Sequence, residues 1–265
     1  MLQEIFVKEF ESLRFQLKSY ILRITASRED TDDIVQETYI KSSEKLSTFK
    51  GNSTLKTWVF AIASNLAKDL LRSKKRWPEN VTDICKETAL SNQSFFEEAM
   101  AIRHTSPQGN FEIKEHIAFC FTCVSKSLPL EQQLVIFLKE VYEFKVKEIG
   151  IIMSLTEAMV KYYLHQGRQQ MIKVFNHRCS LINKEGVCHQ CTELNGIFNP
   201  DQDAQQEIVK IQMAKDADLK TKEELFDLRM KVLNGIDPFE SGAAELQLHH
   251  LEHNRKVMEN YLKKN

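Results

Sequence analysis

Two pairs of cysteines have the Cys-x-x-Cys spacing that binds zinc or cycles between dithiol and disulfide: Cys120 with Cys123, and Cys188 with Cys191. Four thiolates from two such pairs can enclose one tetrahedral zinc ion, with His116 and Cys179 as alternative ligands. The competing interpretation is that Cys120 and Cys123 are buried packing residues, because phenylalanines accompany them in an apolar segment. A structural zinc ion, a redox pair and plain packing therefore stay open, and no other cofactor is expected.

A short polar loop lies between two segments with helical spacing. It consists of three small residues with a lysine on each side: Lys50, Gly51, Asn52, Ser53 and Lys56. An aromatic side chain stands at each end of this loop, Phe49 and Trp58. Cations on both sides of small polar groups make the loop a candidate binding feature, but its composition alone leaves the ligand open.

A third group of polar side chains follows a tight turn near residue 155. The two predicted helices that meet there have the small apolar core of a helix-turn-helix. The second helix presents side chains that suit phosphates and base edges in a major groove: Lys161, His165, Gln166 and Arg168, with Tyr162 or Tyr163 beside them and Thr156 before them. A plain helical hairpin with a solvated face would show the same pattern.

Helices must position all of these residues, and the spacing of apolar side chains predicts an all-α fold. Residues 1–77 form a first small helical domain, and residues 78–112 are expected to be a flexible linker with a short helix near 95–102. Residues 113–178 form a second domain that contains the helix-turn-helix. Residues 179–265 add a cysteine-containing segment and a helical C-terminal extension.

The composition is that of an ordinary globular protein, with 42% hydrophobic and 28% charged residues and a net charge of −1. No segment has the apolar length of a membrane span, and the N-terminus lacks the features of a signal peptide, so we expect a cytoplasmic protein. Six cysteines in such a chain argue against a disulfide framework. Local charge is more informative than net charge, since residues 70–76 are strongly basic.

Four motifs follow one another in the first domain. They are Asp33-x-x-Gln36-Glu37, Phe49-Lys50-Gly51, Leu55-Lys56-x-Trp58 and Ile62-Ala63-x-Asn65-x-Ala67-x-Asp69, the last leading into a basic stretch from Arg72 to Arg76. This order resembles the second conserved region of bacterial RNA polymerase sigma factors, in the extracytoplasmic-function (ECF) group of the sigma-70 family. Residues 127–171 resemble the fourth region of the same family, in the expected position along the chain.

The resemblance implies a role for each part of the first domain. The polar helix face binds the clamp helices of the polymerase's largest subunit, through Asp33, Gln36, Glu37 and Lys41. The loop accepts a base flipped out of the minus-ten promoter element, with Gly51 allowing close approach, Asn52 and Ser53 as hydrogen-bonding groups, and Lys50 and Lys56 on the phosphates. The helix after the loop runs along the DNA through Asn65, Lys68, Arg72 and Arg76. Independently of the resemblance, we expect Trp58 to support the loop from the core rather than to stack on a base.

The helix-turn-helix is implied to read the minus-thirty-five element through Thr156, Lys161, Tyr163, His165 and Arg168, next to the polymerase flap region. This part departs from the family pattern, because Ser154 and Ala158 replace glycines and Tyr163 and Gln166 stand where basic residues are common. Fewer cations release fewer counterions, so the affinity of this part for DNA is expected to be weaker.

The resulting prediction is a non-enzymatic sigma factor whose partners are core RNA polymerase and promoter DNA, with an anti-sigma factor as a further candidate and no membrane. Two other functions compete with it. A stand-alone helix-turn-helix regulator would bind duplex DNA without polymerase, and a zinc- or thiol-responsive stress sensor would bind DNA only secondarily. The C-terminal extension is expected to cap the second domain, bind a regulator, dimerise or shield the DNA-binding faces.

Overall fold

The computed structural model describes residues 2–105, 113–179, 221–240 and 244–265, and these residues form helices and their connections without any strand. The prediction of an all-α fold is confirmed. Eleven α-helices lie in the described part of the chain: α1 Leu2–Thr25, α2 Arg28–Glu44, α3 Leu55–Leu71, α4 Val81–Leu90, α5 Gln93–Thr105, α6 Ile113–Ser125, α7 Leu130–Ile136, α8 Val146–Met153, α9 Glu157–Arg178, α10 Lys222–Asn234 and α11 Ala244–Lys264. None of the described helices combines the length and apolar character that crossing a membrane requires.

The helices are grouped into two compact units that do not follow the order of the chain. Unit 1 comprises Met1–Arg76 and Leu128–Gly167, and unit 2 comprises Trp77–Ser127 and Arg168–Asn265. The helix-turn-helix therefore packs in the same unit as the N-terminal helices, whereas we expected a separate second domain. The functional domain boundaries at residues 77, 112 and 178 stay predictions.

Unit 1 begins with an aromatic core between α1 and α2. Phe6 and Phe10 are fully buried, and their ring centroids lie 5.8 and 5.0 Å from that of Tyr39. Ser27 starts α2 as an N-cap, since its side chain accepts a hydrogen bond from the backbone N–H of Asp30 at 3.2 Å. These contacts set the direction of α2 and leave its polar side outward.

The centre of unit 1 joins α3 to the segment that precedes the helix-turn-helix. The buried ring of Phe60 lies 4.9 Å from Phe144 and 5.3 Å from Tyr20, measured between centroids. Tyr142 donates a hydrogen bond to Ser19 at 3.3 Å. Because Tyr20, Tyr142 and Phe60 form one buried cluster, residues from both parts of unit 1 share a single core.

Unit 2 is built around α6, with the two helices of the C-terminal extension packed on it. Four apolar side chains at this contact are fully buried: Phe121 of α6, Phe226 and Leu233 of α10, and Met258 of α11. Helices α4 and α5 also contact α11, and they occupy residues 81–105, where the sequence predicted a flexible linker. Only the short helix near 95–102 was foreseen in that segment, and it lies within α5.

Candidate nucleic-acid interface

The polar loop enters α3 through a well-defined turn. Gly51 has a φ of +71° and a Cβ atom there would meet nothing within 4 Å, so glycine is favoured by backbone conformation and not by space. Lys50, Gly51 and Asn52 are exposed, and Ser53 is half-buried. The small polar groups of the loop are therefore exposed. The backbone conformation at Gly51 is one that residues other than glycine adopt less easily.

An aromatic pair and a helix cap hold the base of this loop. The ring centroids of Phe49 and Trp58 are 5.2 Å apart, one on each side of the loop. Thr54 caps α3 by accepting a hydrogen bond from the backbone N–H of Thr57 at 3.1 Å. Trp58 is half-buried against Phe49, which is the supporting position expected for it.

Two of the predicted DNA-binding cations, Lys56 on α3 and Arg76, are engaged by residues 128–148 within unit 1. Arg76 was predicted on the same helix, but α3 ends at Leu71 and Arg76 lies in the segment after it. The Nζ atom of Lys56 lies 4.8 Å from the centroid of the Phe144 ring, and burial, the dominant cause, lowers the pKa of this lysine despite the nearby Glu148. Arg76 donates a hydrogen bond from Nε to the carbonyl oxygen of Leu128 at 2.6 Å and another to Gln133. Burial lowers the pKa of Arg76 to about 10.

The remaining predicted residues, Asn65 and Lys68 on α3 and its C-cap Arg72, differ in exposure. Asn65 and Arg72 are exposed, and Arg72 pairs with Asp69 across one turn at 3.3 Å. Lys68 is only 8% exposed, and burial lowers its pKa. Asn65 and Arg72 thus face solvent in this arrangement, whereas Lys68 does not.

A polar side of α2 faces away from the unit 1 core. Asp33 and Gln36 are exposed, and Glu37 is half-buried and paired with Lys41 at 3.1 Å. Ile40 lies on the same side and is 42% exposed, a large apolar side chain among acids and amides. Ile40 is not among the residues predicted for this surface, although its position four residues after Gln36 places it on the same helix face.

The helix-turn-helix consists of α8 and the first half of α9. Ser154 takes the left-handed conformation in the turn, with a φ of +56°. Thr156 accepts a hydrogen bond from the backbone N–H of Met159 at 3.3 Å, as a helix N-cap does. Lys161 and His165 are exposed as expected.

Two predicted residues of α9 are placed differently from the others. Tyr163 is half-buried, whereas its neighbour Tyr162 is 54% exposed. Arg168 forms an ion pair with Asp227 of α10 and lies over the ring of Phe226, 5.1 Å from its centroid. The guanidinium of Arg168 is therefore held within unit 2 by the C-terminal extension.

Two parts of the chain match models of known protein families. Residues 10–77 match the family Sigma-70 region 2, and residues 119–171 match the family Sigma-70, region 4. The chain is 29% identical over 140 residues to the ECF RNA polymerase sigma-E factor of Escherichia coli (strain K12), covering 53% of this chain and 71% of that protein. It is 23% identical over 186 residues to the ECF RNA polymerase sigma factor SigX of Bacillus subtilis (strain 168), covering 69% of this chain and 88% of SigX.

The chain carries region 2 and region 4 of the sigma-70 family, and the relatives that it matches are ECF sigma factors. As a sigma factor it directs promoter-specific initiation of transcription with RNA polymerase, and its family consists of DNA-binding transcription factors that are not enzymes. A solved structure of the sigma factor RpoE from Bartonella quintana, in complex with the anti-sigma factor NepR, is similar over 65% of this chain and 98% of that one. Its sequence identity is 16% and its TM-score is 0.43.

The matched ranges show which parts of this sigma factor are common to the family. The region 2 match includes the loop, α3 and the polar side of α2, and the region 4 match includes the helix-turn-helix. Helices α10 and α11 lie outside both matches. The contact between Arg168 and Asp227 therefore joins a residue of region 4 to a segment outside both matched ranges.

The cysteines of this sigma factor do not support the predicted zinc site. Cys120 and Cys123 are buried in α6, where Cys123 accepts a hydrogen bond from the side-chain amide of Asn254 at 3.5 Å and burial raises its pKa to about 12. Cys179 is also buried and accepts a hydrogen bond from Arg229 at 3.0 Å. His116 lies within α6, and Cys188 and Cys191 lie outside the described residues. Among the residues that the structure describes, no three His, Cys, Asp or Glu side chains are grouped to hold a metal ion.

Proposed function

We propose that this sigma factor opens promoter DNA by holding an unpaired base of the minus-ten element against the loop 50–53. The observation that supports this most directly is the left-handed turn at Gly51, beside the exposed Asn52 and Lys50 and above the Phe49–Trp58 pair. Flipping a base out of a duplex costs a few kcal/mol, so the protein must offer compensating contacts. A narrow backbone turn with an exposed amide and a nearby cation supplies hydrogen bonds to the base and attraction to its phosphates.

The outward side of α2 is the proposed surface for core polymerase. Asp33 and Gln36 are exposed there, on the same helix face as Ile40, which is 42% exposed. An apolar side chain inside a polar rim is the composition of a protein interface, where the central residue contributes most of the affinity. The clamp helices of the polymerase's largest subunit are the partner that the family implies for this side.

Contact with both promoter elements requires unit 1 to open. The minus-ten and minus-thirty-five elements are about 25 base pairs apart, or about 85 Å at roughly 3.4 Å per base pair. A compact body of the size of unit 1 has a radius of gyration of about 13 Å. The loop and the helix-turn-helix cannot span that distance while α3 packs against α8.

Contacts inside unit 1 also engage residues that are proposed to bind DNA. Lys56 lies over Phe144, and Arg76 is bonded to Leu128 and Gln133. Core polymerase is the proposed partner that separates these contacts. An anti-sigma factor, the further partner that the family implies, would have the opposite effect if it held them together.

Run-off transcription tests this proposal. Core polymerase, alone and with the full-length protein, is supplied with a duplex that carries a promoter selected by the holoenzyme. A promoter-dependent transcript is expected only with the protein, and the combined change Asn52→Ala and Lys56→Ala should reduce it while binding to core is retained. Lys8→Ala, a change of an exposed lysine on α1, is the matched control. Duplex binding without core and without any transcript would instead indicate a stand-alone regulator.

A further inference from the structure

The segment that connects the two stretches of unit 1 begins and ends at one place in unit 2. The backbone N–H of Trp77 donates a hydrogen bond to the carbonyl oxygen of Lys126 at 3.1 Å. The Nζ atom of Lys126 lies 4.8 Å from the centroid of the Trp77 ring. These two contacts, here called the clasp, join the residue after Arg76 to the residue that follows α6, and so they close the connecting segment into a loop.

The clasp is shielded from water. Trp77 is 8% exposed and Lys126 is 4% exposed. The attraction between a cation and an aromatic face is larger where both groups are desolvated, and tryptophan is the strongest aromatic partner. The clasp is therefore stronger than a contact of the same kind at the surface.

The residue before the clasp makes a corresponding contact in unit 1. Arg76 donates a hydrogen bond from Nε to the carbonyl oxygen of Leu128 at 2.6 Å. Leu128 is the first residue of the second stretch of unit 1. Two consecutive residues, Arg76 and Trp77, thus bind residues at the far end of the connecting segment, each within its own unit.

Helix α11 holds together the two helices that carry the clasp. The Sγ atom of Cys85 on α4 lies 4.0 Å from the carbonyl oxygen of Asn254, and the side-chain amide of Asn254 donates a hydrogen bond to Cys123 on α6 at 3.5 Å. Asn254 is buried. Because it contacts α4 shortly after Trp77 and α6 shortly before Lys126, it supports the closed arrangement of both ends.

The closed clasp conflicts with contact to both promoter elements at once. Residues 1–76 and 128–167 have expected radii of gyration of about 11 and 9 Å, so that side by side they reach about 55 Å. The two elements are about 85 Å apart, and residues 77 and 126 must therefore separate by roughly 30 Å. The residues between them could span about 150 Å when extended, so chain length does not prevent this separation.

We propose that the clasp is an autoinhibitory contact, which keeps the free protein closed and opens when holoenzyme forms at a promoter. This inference rests on the proposed function, in which the loop 50–53 and the helix-turn-helix contact different promoter elements. If only the open form binds productively, the apparent affinity for core is reduced in proportion to the open fraction. Opening the clasp by mutation should therefore tighten binding, and closing it covalently should prevent transcription.

A covalent lock is the first test, and it uses the full-length protein. A direct backbone hydrogen bond brings two Cα atoms to about 5.5 Å, which a disulfide can bridge. Trp77→Cys combined with Lys126→Cys should form this disulfide on oxidation, as peptide mass spectrometry would show. The oxidised variant should lose nearly all promoter-dependent run-off transcript with core polymerase, and a reductant should restore it. Wild-type protein treated in the same way controls for oxidation of the six native cysteines.

An opened clasp is the second test. Lys126→Met removes the charge and keeps a long apolar side chain that adapts to its surroundings. Its affinity for core should rise by up to about tenfold, within the range of a desolvated cation–π contact. Lys222→Met, a change of an exposed lysine on α10, is the matched control and should keep the wild-type affinity. The sign of the effect is diagnostic, because a variant that is merely less stable would bind core more weakly.

Three results would each overturn the inference: no disulfide between the two introduced thiols, a full transcript from the disulfide-bonded variant, or an affinity of Lys126→Met for core no tighter than that of the wild type. Run-off transcription by the wild-type protein separates the two proposals. A core-dependent wild-type transcript that persists in the locked variant would refute only the autoinhibitory clasp. No wild-type transcript on any selected promoter would refute the proposed function.

Discussion

The ammonium group of Lys56 lies 4.8 Å from the centroid of the Phe144 ring, so a lysine beside the promoter loop is covered by the segment that leads into the helix-turn-helix. Thr57 extends this contact, with its hydroxyl 3.5 Å from Glu148. The ring of Phe144 also packs on Phe60. Residues of both parts that are proposed to bind the promoter therefore meet at one place in unit 1.

The first prediction is that core polymerase separates these parts. Fluorescent labels at the exposed positions Ser47 and Ile151 should show high energy transfer in the free protein and low transfer once holoenzyme binds a promoter. Labels at Lys8 and Ser47, both in the N-terminal part of unit 1, are the control and should show no such change. High transfer from the first pair in a transcribing complex would contradict the opening.

The second prediction concerns the left-handed backbone at Gly51. Gly51→Ala should lower the free energy of unfolding by about 1 to 2 kcal/mol, because a Cβ atom disfavours a φ of +71° even where space is open. The transcript should decrease by up to roughly tenfold, as the loop leaves its turn in part of the molecules. Run-off transcription and chemical denaturation measure the two effects.

Gly51→Asn is the control for this change, because asparagine adopts the left-handed region more easily than alanine. It should keep most of the transcript although it adds a larger side chain. Equal losses in both variants would mean that side-chain size at this position matters and that the backbone does not.

The third prediction is that Ile40 contributes to the affinity for core polymerase. Ile40→Ala should weaken binding by about 2 kcal/mol if the side chain is buried at the interface, and it should leave stability nearly unchanged because the side chain is 42% exposed in the free protein. Ile5→Ala, another exposed isoleucine on α1, is the matched control. A titration of labelled protein with core measures both, and equal affinities would remove Ile40 from the interface.

The all-α fold and the resemblance to sigma factors were accessible from the sequence, but the fold of residues 81–105 was not. Val81, Cys85 and Phe95 are buried in unit 2, in which α11 supplies much of the covering surface. Since α11 begins at residue 244, nothing near α4 in the sequence indicates this partner. Local polarity therefore suggested a linker, whereas distant apolar residues stabilise helices there.

The sequence alone also did not predict the rotation of α9 about its axis. Tyr162 and Tyr163 are adjacent, and the sequence alone left open which of them faces outward. The contact of Gly167 with Ile136 decides it, because it brings one side of α9 against α7. In the same way, Asp227 accounts for the position of Arg168, and no helical periodicity could have connected residues so far apart.

The fourth prediction follows from that ion pair. Asp227→Asn should release Arg168 for phosphate contacts and so raise the non-specific affinity of the protein for duplex DNA. The slope of log affinity against log salt concentration should steepen by about one, the change expected for one additional phosphate contact. Glu223→Gln, an exposed acid on the same helix, is the control, and an unchanged slope in Asp227→Asn would show that Arg168 stays away from DNA.

The fifth prediction is that acidification loosens α11 from α5 through His253. The His253 ring lies 4.1 Å from that of Phe95, and its Nε2 atom is buried without a hydrogen-bond partner in the described part of the chain. Burial lowers the pKa of His253, as do the neighbouring His249 and Lys256, while Glu98 acts in the opposite direction. A histidine with a lowered pKa in the folded state takes up its proton first in the unfolded state.

Stability should therefore be constant above the ordinary histidine pKa of about 6.5 and should fall as the pH decreases through the lower pKa of the folded state. Hydrogen exchange in peptides from α11, corrected for the intrinsic rate, should be faster at pH 5.5 than at pH 7.5. His253→Gln should reduce this difference, because a neutral side chain replaces the one that titrates. His177→Gln, which changes an exposed histidine on α9, should keep the full difference, and an unchanged response in His253→Gln would assign the effect to another group.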